Sequence, residues 1–139
     1  MSIFPVFDTA SSGLYANRVW MDAISDNIAN VNTVRPYDQP AFQTRWIQVQ
    51  SVNADNNDPV GVGGGVQVVD AQFGSPQGIV HYDPTNPLAN AQGLVREPDV
   101  DLGDQMTQLI EAQRSYEMNL TVIDRARDSY QQAIQISDK

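Results

Sequence analysis

Apolar residues recur every seven positions at both ends of the chain and lose that rhythm in the middle. Over residues 7–31 one row is Phe7, Leu14, Met21 and Ile28; a second, three residues on, is Ala10, Asn17, Ile24 and Val31. Steps of three and four bring both rows onto one helix face. A sustained period of seven favours a supercoiled seam over an ordinary surface helix. At 1.5 Å per residue the predicted helix is roughly 37 Å long. Asp8, Thr9, Ser11 and Ser12 offer caps near its start. Residues 30–33 and then Pro36 should end it.

The C-terminal end repeats the rhythm. Leu102, Leu109, Tyr116, Ile123 and Tyr130 form one row, and Met106, Gln113, Leu120, Arg127 and Ile134 a companion row. Asp99 or Asp101 can cap this helix, and Asp104 suits the positive end of its dipole. An amphipathic helix of this kind must bury its stripe against the other end, another chain, or both. Asn17, Gln113 and Arg127 interrupt the rows. Either the stripe is imperfect there, or a polar side chain fixes register at a cost in stability.

Between the two stripes the period changes. Residues 42–52 and 66–73 are rich in Val, Ile, Thr and aromatics and read as strands, and 79–82 reads as a third short one. Trp46 beside Ile47, and Val68 beside Val69, break clean alternation, which a bulge or burial on both faces would explain. Residues 53–65 hold Asn, Asp, Pro and three consecutive glycines and read as a loop. Pro84, Pro87 and Pro98 punctuate the return to the last helix. The expected fold is mainly α: long N- and C-terminal helices in a coiled-coil-like rod, with a small β-rich insert. The N-terminal assembly helix takes 1–34, the insert and linker 35–99, and the C-terminal assembly helix 100–139, as one structural unit of 139 residues.

Charge and chemistry narrow the function. Eight basic and seventeen acidic residues leave a net charge of −9, which argues against nucleic acid and anionic membrane surfaces as partners. There is no cysteine, so thiolate metal sites and disulfides are excluded. No basic N-terminal region or long apolar run suggests a cleaved signal peptide or a membrane span. The single histidine, His81, has no ligand spacing around it and reads as structural or surface. Residues 55–58 lack the spaced ligands of a calcium loop, and 61–65 lack the Lys of a phosphate loop. Asp99, Asp101 and Asp104 read as caps, not paired catalytic carboxylates. No catalytic residue, metal site or cofactor is expected, and an enzyme is disfavoured.

Residues 25–33, Ser-Asp-Asn-Ile-Ala-Asn-Val-Asn-Thr, resemble the N-terminal signature of flagellar rod, hook and hook-associated axial proteins. The matching positions are Asn27, Ala29, Asn30, Asn32 and Thr33. Residues 99–101, Asp-Val-Asp, followed by Glu111, Ala112, Gln113, Arg114, Ser115 and Tyr116, are similar to the family's C-terminal signature. Residues 82–100 look like the linker of its short, proximal rod members, although Asn86 stands where a His is usual. The resemblance implies a structural subunit of the bacterial basal-body rod, the drive shaft that transmits torque and forms part of the export channel. It implies extracytoplasmic location after type III export without a cleaved signal. Implied partners are copies of itself, other rod proteins, a rod-base adaptor and, in transit, the export apparatus, with no direct membrane insertion. The two heptad ends are the expected assembly interface. The alternative function is a soluble coiled-coil adaptor that forms a closed dimer.

Overall fold

A computed structural model describes residues 4–52 and 64–137. Helix α1 (Phe4–Ala29) is followed by strands β1 (Arg35–Pro36), β2 (Arg45–Ser51), β3 (Val66–Phe73), β4 (Ile79–Tyr82) and β5 (Leu94–Glu97), and by helix α2 (Leu102–Ser137). The helices hold 26 and 36 residues, a little under half of the chain. They lie antiparallel within one chain: Gly13 meets Asn119, and Asn27 meets Gln105. Fourteen residues forward on α1 therefore match fourteen back on α2. On this pairing Phe4 is level with Asp128, so 129–137 extend beyond it by roughly 14 Å.

The helix ends are set by side chains. Asn30 donates from its amide to the carbonyl of Asp26 (2.9 Å) and accepts from the Thr33 hydroxyl (3.1 Å). These bonds close the last turn of α1 and start the reversal. The Asp101 carboxylate accepts from the Asp104 N–H (3.1 Å), an N-cap at the expected residue. The expected caps at Asp8–Ser12 are a correction, because α1 is already helical from Phe4. Ser12 has another role. Its hydroxyl donates to the Thr9 carbonyl (2.7 Å) and accepts from the Val66 N–H (3.1 Å), which straps β3 to the helix.

Among the described residues the insert contains five short strands in two antiparallel sheets, not three strands. β2 and β3 form a hairpin running from Arg45 opposite Phe73 to Ser51 opposite Val66. Gln48 faces Asp70 while Val49 faces Val68, so Val69 is the extra residue of a bulge, as its adjacency to Val68 suggested. β2 begins at Arg45, later than the sequence pattern placed it. The expected loop at 53–65 lies outside the described residues except for Gly64 and Gly65. The second sheet has the order β1–β5–β4, with Val95 of β5 fully buried at its centre. The Arg96 guanidinium braces it, donating to the carbonyls of Tyr37 and Gln77 (2.6 Å each) and stacking over the Tyr37 ring. In the Asp83 turn, the Thr85 hydroxyl donates to the Asp83 carboxylate (2.7 Å) and holds its pKa below the ordinary value.

Core burial is centred on α1, between α2 on one side and the β2–β3 hairpin on the other. Ala10, Ala16, Ala23 and Ile24 of α1 are buried, as is Ala112 of α2. Small side chains here let the backbones approach closely. At Gly13 an added Cβ would lie 2.8 Å from the Asn119 amide.

Gly78 offers a test of the insert. Its φ is +55°, and a Cβ there would lie 2.2 Å from the Glu97 carbonyl oxygen and 2.6 Å from the Ala41 Cβ. Gly78→Ala should lower stability by about 1–3 kcal/mol in thermal or urea unfolding, through left-handed strain and backbone overlap. An unchanged melting curve would contradict this placement of β4 against β5.

Candidate assembly interface

The site is best built from the last turn of α1, where Asn27 is 1% exposed. Its amide nitrogen donates to the Arg45 carbonyl (3.0 Å) and to Oε1 of Gln105 (2.9 Å). Its Oδ1 accepts from the Arg45 N–H (2.9 Å). One side chain thus pairs with the first residue of β2 as another strand would, and reaches across to the first turn of α2. Every hydrogen-bonding group of the Asn27 amide is used, which offsets the cost of burying it. The Arg45 guanidinium adds an ion pair with Asp26. That pair is partly exposed and contributes little. Close by, the Thr44 hydroxyl donates to the Asp99 carbonyl (2.8 Å), fixing the approach to α2.

From this junction the helices run together on small and polar residues. Among regular elements, α2 packs on α1 alone. Its inward rows are Gln105, Ala112, Asn119 and Ala126, and Leu109, Tyr116 and Ile123. These rows recur every seven residues. The expected companion row lies one position further on, and Met106, Gln113, Leu120, Arg127 and Ile134 are all exposed. Leu102 and Tyr130, at the ends of the first expected row, are exposed as well. On α1, Ala10 and Ile24 are buried, whereas Phe7, Leu14, Asn17, Met21 and Ile28 are half-buried, as is Val31 just beyond its end.

The motif residues separate in the same way. Asn27 and Ala112 are buried; Asn30, Thr33 and Tyr116 are half-buried; Ala29, Asn32, Glu111 and Arg114 face solvent. Sequence reasoning missed Gln105, Arg45 and Asn119. The available signal was the seven-residue step from Gln105 through Ala112 and Asn119 to Ala126, which carries no large apolar side chain.

Among the described residues, two surfaces stand out. One is the outer side of α2, where Leu102, Met106, Ile110 and Leu120 are exposed at helical spacing. The other is a groove of about 480 Å³ between α1 and the hairpin. No group of three or more His, Asp or Glu side chains that could hold a metal occurs among the described residues, and His81 is exposed.

Comparison with known proteins resolves what this arrangement belongs to. A family described as "Flagella basal body rod protein" matches residues 7–36, and "Flagellar basal body rod FlgEFG protein C-terminal" matches 91–136. The chain is similar to the flagellar basal-body rod protein FlgC of Bacillus subtilis, with 30% identity over 98% of this chain and 99% of that protein. It is similar to FlgC of Borreliella burgdorferi, with 34% identity and 98% of each chain covered. The chain belongs to the FlgC family of flagellar basal-body rod proteins. FlgC of Escherichia coli O157:H7 is 34% identical over 91% of this chain and 92% of its own length.

FlgC proteins are structural rod proteins and not enzymes. In this FlgC-family chain the two matched regions hold the two sides of the helix pair. The N-terminal one contains Asn27, Asn30 and Thr33, and the C-terminal one contains Gln105 and Ala112. No helix among the described residues is long and apolar enough to cross a membrane.

Replacing Asn27 tests the junction directly. Asn27→Ala strands the Arg45 N–H, the Arg45 carbonyl and Gln105, and should cost roughly 3 kcal/mol, since an unsatisfied buried group costs ~1–3 kcal/mol. Asn27→Asp should be no better, because a carboxylate cannot donate to the Arg45 carbonyl or to Oε1 of Gln105. Urea unfolding of both variants checks this, and wild-type midpoints would refute the role given to Asn27.

Proposed function

We propose that this chain is a subunit of the proximal rod that polymerises into the tubular drive shaft, transmits torque and forms part of the wall of the export channel. The observation that supports it is the double patterning of α2. One set of seven-spaced positions is covered by α1, while a second, holding Met106, Leu120 and Ile134, stays bare beside Leu102 and Ile110. Large apolar side chains in line on a helix mark a surface for another helix. In this reading the paired helices form the coiled-coil-like rod element from 1–34 and 100–139. Residues 35–99 form an insert at its side.

The partners are copies of this chain, other rod proteins and a rod-base adaptor, with the flagellar type III apparatus carrying the chain out without a cleaved signal. Head-to-tail contacts of this kind give an open helical tube and not a closed dimer. Reported names of relatives, all flagellar basal-body rod proteins, support the location in the basal body.

The two faces of α2 make separable predictions. Met106→Asp with Leu120→Asp should leave folding within about 0.5 kcal/mol of wild type, because both side chains are already exposed. The same pair should abolish rod formation by placing charges in an apolar contact. Leu109→Asp, on the covered face, should instead unfold the helix pair. Circular dichroism with swimming-plate complementation separates them, and swimming cells that carry only the double variant would overturn the proposal.

A further inference from the structure

Two of the motif residues, Glu111 and Arg114, face solvent and take no part in the helix pair. They belong to an exposed stripe of α2, Thr107, Glu111, Arg114, Met118 and Thr121, in steps of four, three, four and three. α1 carries an exposed stripe with the same steps: Ser11, Tyr15, Arg18, Asp22 and Ser25. Tyr15 is 63% exposed and Met118 62%. Arg18, Asp22, Glu111 and Arg114 form no ion pair and no side-chain hydrogen bond among the described residues, where the ion pair is Arg45 with Asp26. Glu111 and Arg114, with Thr107, Ile110, Ser115 and Met118, also line a hollow of about 380 Å³ on α2.

The charges on the two stripes decide how they can meet. Run antiparallel with the steps matched, Arg18 falls opposite Glu111, Tyr15 opposite Arg114 and Ser11 opposite Met118. The first is an ion pair, and the second sets an aromatic face beneath a guanidinium in the middle of the hollow. Parallel registers that engage the same residues set like charges opposite: Arg18 on Arg114 or, one heptad either way, Asp22 or Asp8 on Glu111. Slipping the antiparallel register by a heptad is also poorer. One way sets Asp8 on Asp128 and Arg18 on Met118; the other leaves α1 beyond Trp20 with no part of α2 opposite.

We propose that the outer stripe of α2 in one copy packs antiparallel on the outer stripe of α1 in a second copy, with Arg18 paired to Glu111 and Tyr15 under Arg114. This rests on the rod reading above and names one of its contacts. α1 and α2 are antiparallel in each chain, so an antiparallel contact keeps both copies pointing the same way, as head-to-tail growth requires. A second copy is the occupant because the two stripes of this one chain complement each other in charge order and in step. Each stripe holds one acid and one base. The excess acid behind the net charge of −9 therefore lies elsewhere, and it is screened beyond about 8 Å at physiological salt. Exposed ion pairs add little affinity. Their part is to select orientation and register, while Tyr15 and Met118 supply apolar area. Within one chain Arg18 is level with Arg114, so facing Glu111 of its neighbour shifts one copy three residues, roughly 4.5 Å, along the axis.

Charge exchange tests the contact. Arg18→Glu and Glu111→Arg each set like charges opposite at every joint between copies, and each alone should cut swimming radius at least several-fold. Both changes in one chain reverse every pair and should restore at least half of the wild-type radius. Arg18 and Glu111 do not pair within a chain, so repair of its fold cannot produce that rescue. Circular dichroism and melting temperature should match wild type in all three variants, because both side chains are exposed. A double variant that swims no better than either single one, or a single variant that swims normally, would overturn the contact. The absence of cysteine allows a second measurement. Ser11→Cys with Met118→Cys in one full-length chain should give disulfide-linked dimers and longer multiples in oxidised basal bodies. Monomers alone would exclude a second copy as the partner. Wild-type chain recovered in basal bodies while these outcomes fail would refute the contact alone; wild-type chain absent from them would refute the reading on which it rests.

Discussion

Asn27 is the constraint around which the rest of the described structure is arranged. Its primary amide has two donors and an acceptor, and all are used: two toward the backbone of Arg45 and one toward Gln105. The Arg45 pair sets where the chain re-emerges as β2 after the reversal. The Gln105 bond sets the register of α2 along α1. A hydrophobic residue here would bury comparable area and fix neither, because apolar contact is non-directional. Directional bonding at one end lets the remaining seam be built from Ala, Gly and Asn without loss of register.

The sequence pattern and the structure agree where side chains are large and part where they are small. Leu109, Tyr116 and Ile123 are half-buried on the face of α2 that meets α1, and Asp101 and Asn30 set helix ends as their types suggest. Met106, Leu120 and Ile134, the larger apolar side chains of the companion row, do not lie against α1 in this chain. Close packing instead favours Ala112 and Ala126 at the line of nearest approach. The extra strand β5 was hidden by its setting: Leu94–Glu97 is short and lies between turn segments that hold Asn90, Gly93 and Pro98. The bulge at Val69 was legible because two adjacent β-branched residues cannot share one face of a regular strand. The motif was visible as a pattern, but the bond from Asn27 to Gln105 spans 78 residues and has no local signature.

Two kinds of surface follow from this arrangement. Within the chain, the helices meet on small residues, one polar junction and the row Leu109, Tyr116 and Ile123. Outward, α2 shows a line of larger apolar residues, and the hairpin leaves a hollow beside α1. A protein made to stand alone would turn its large apolar side chains inward. The exposed Met106, Ile110 and Leu120 fit membership of a family of rod proteins, while Leu109, Tyr116 and Ile123 face α1.

The way the hairpin is attached has a mechanical consequence. Among regular elements, β2 and β3 pack on α1, and α2 also packs on α1, but the hairpin and α2 do not pack on each other. The three layers are therefore coupled in series through α1, apart from the Thr44–Asp99 bond at the approach to α2. A load applied to α2 reaches the hairpin through α1 and its fastenings at Asn27 and Ser12. The compliance of the whole is then governed by its softest fastening, not by the average stiffness of its parts.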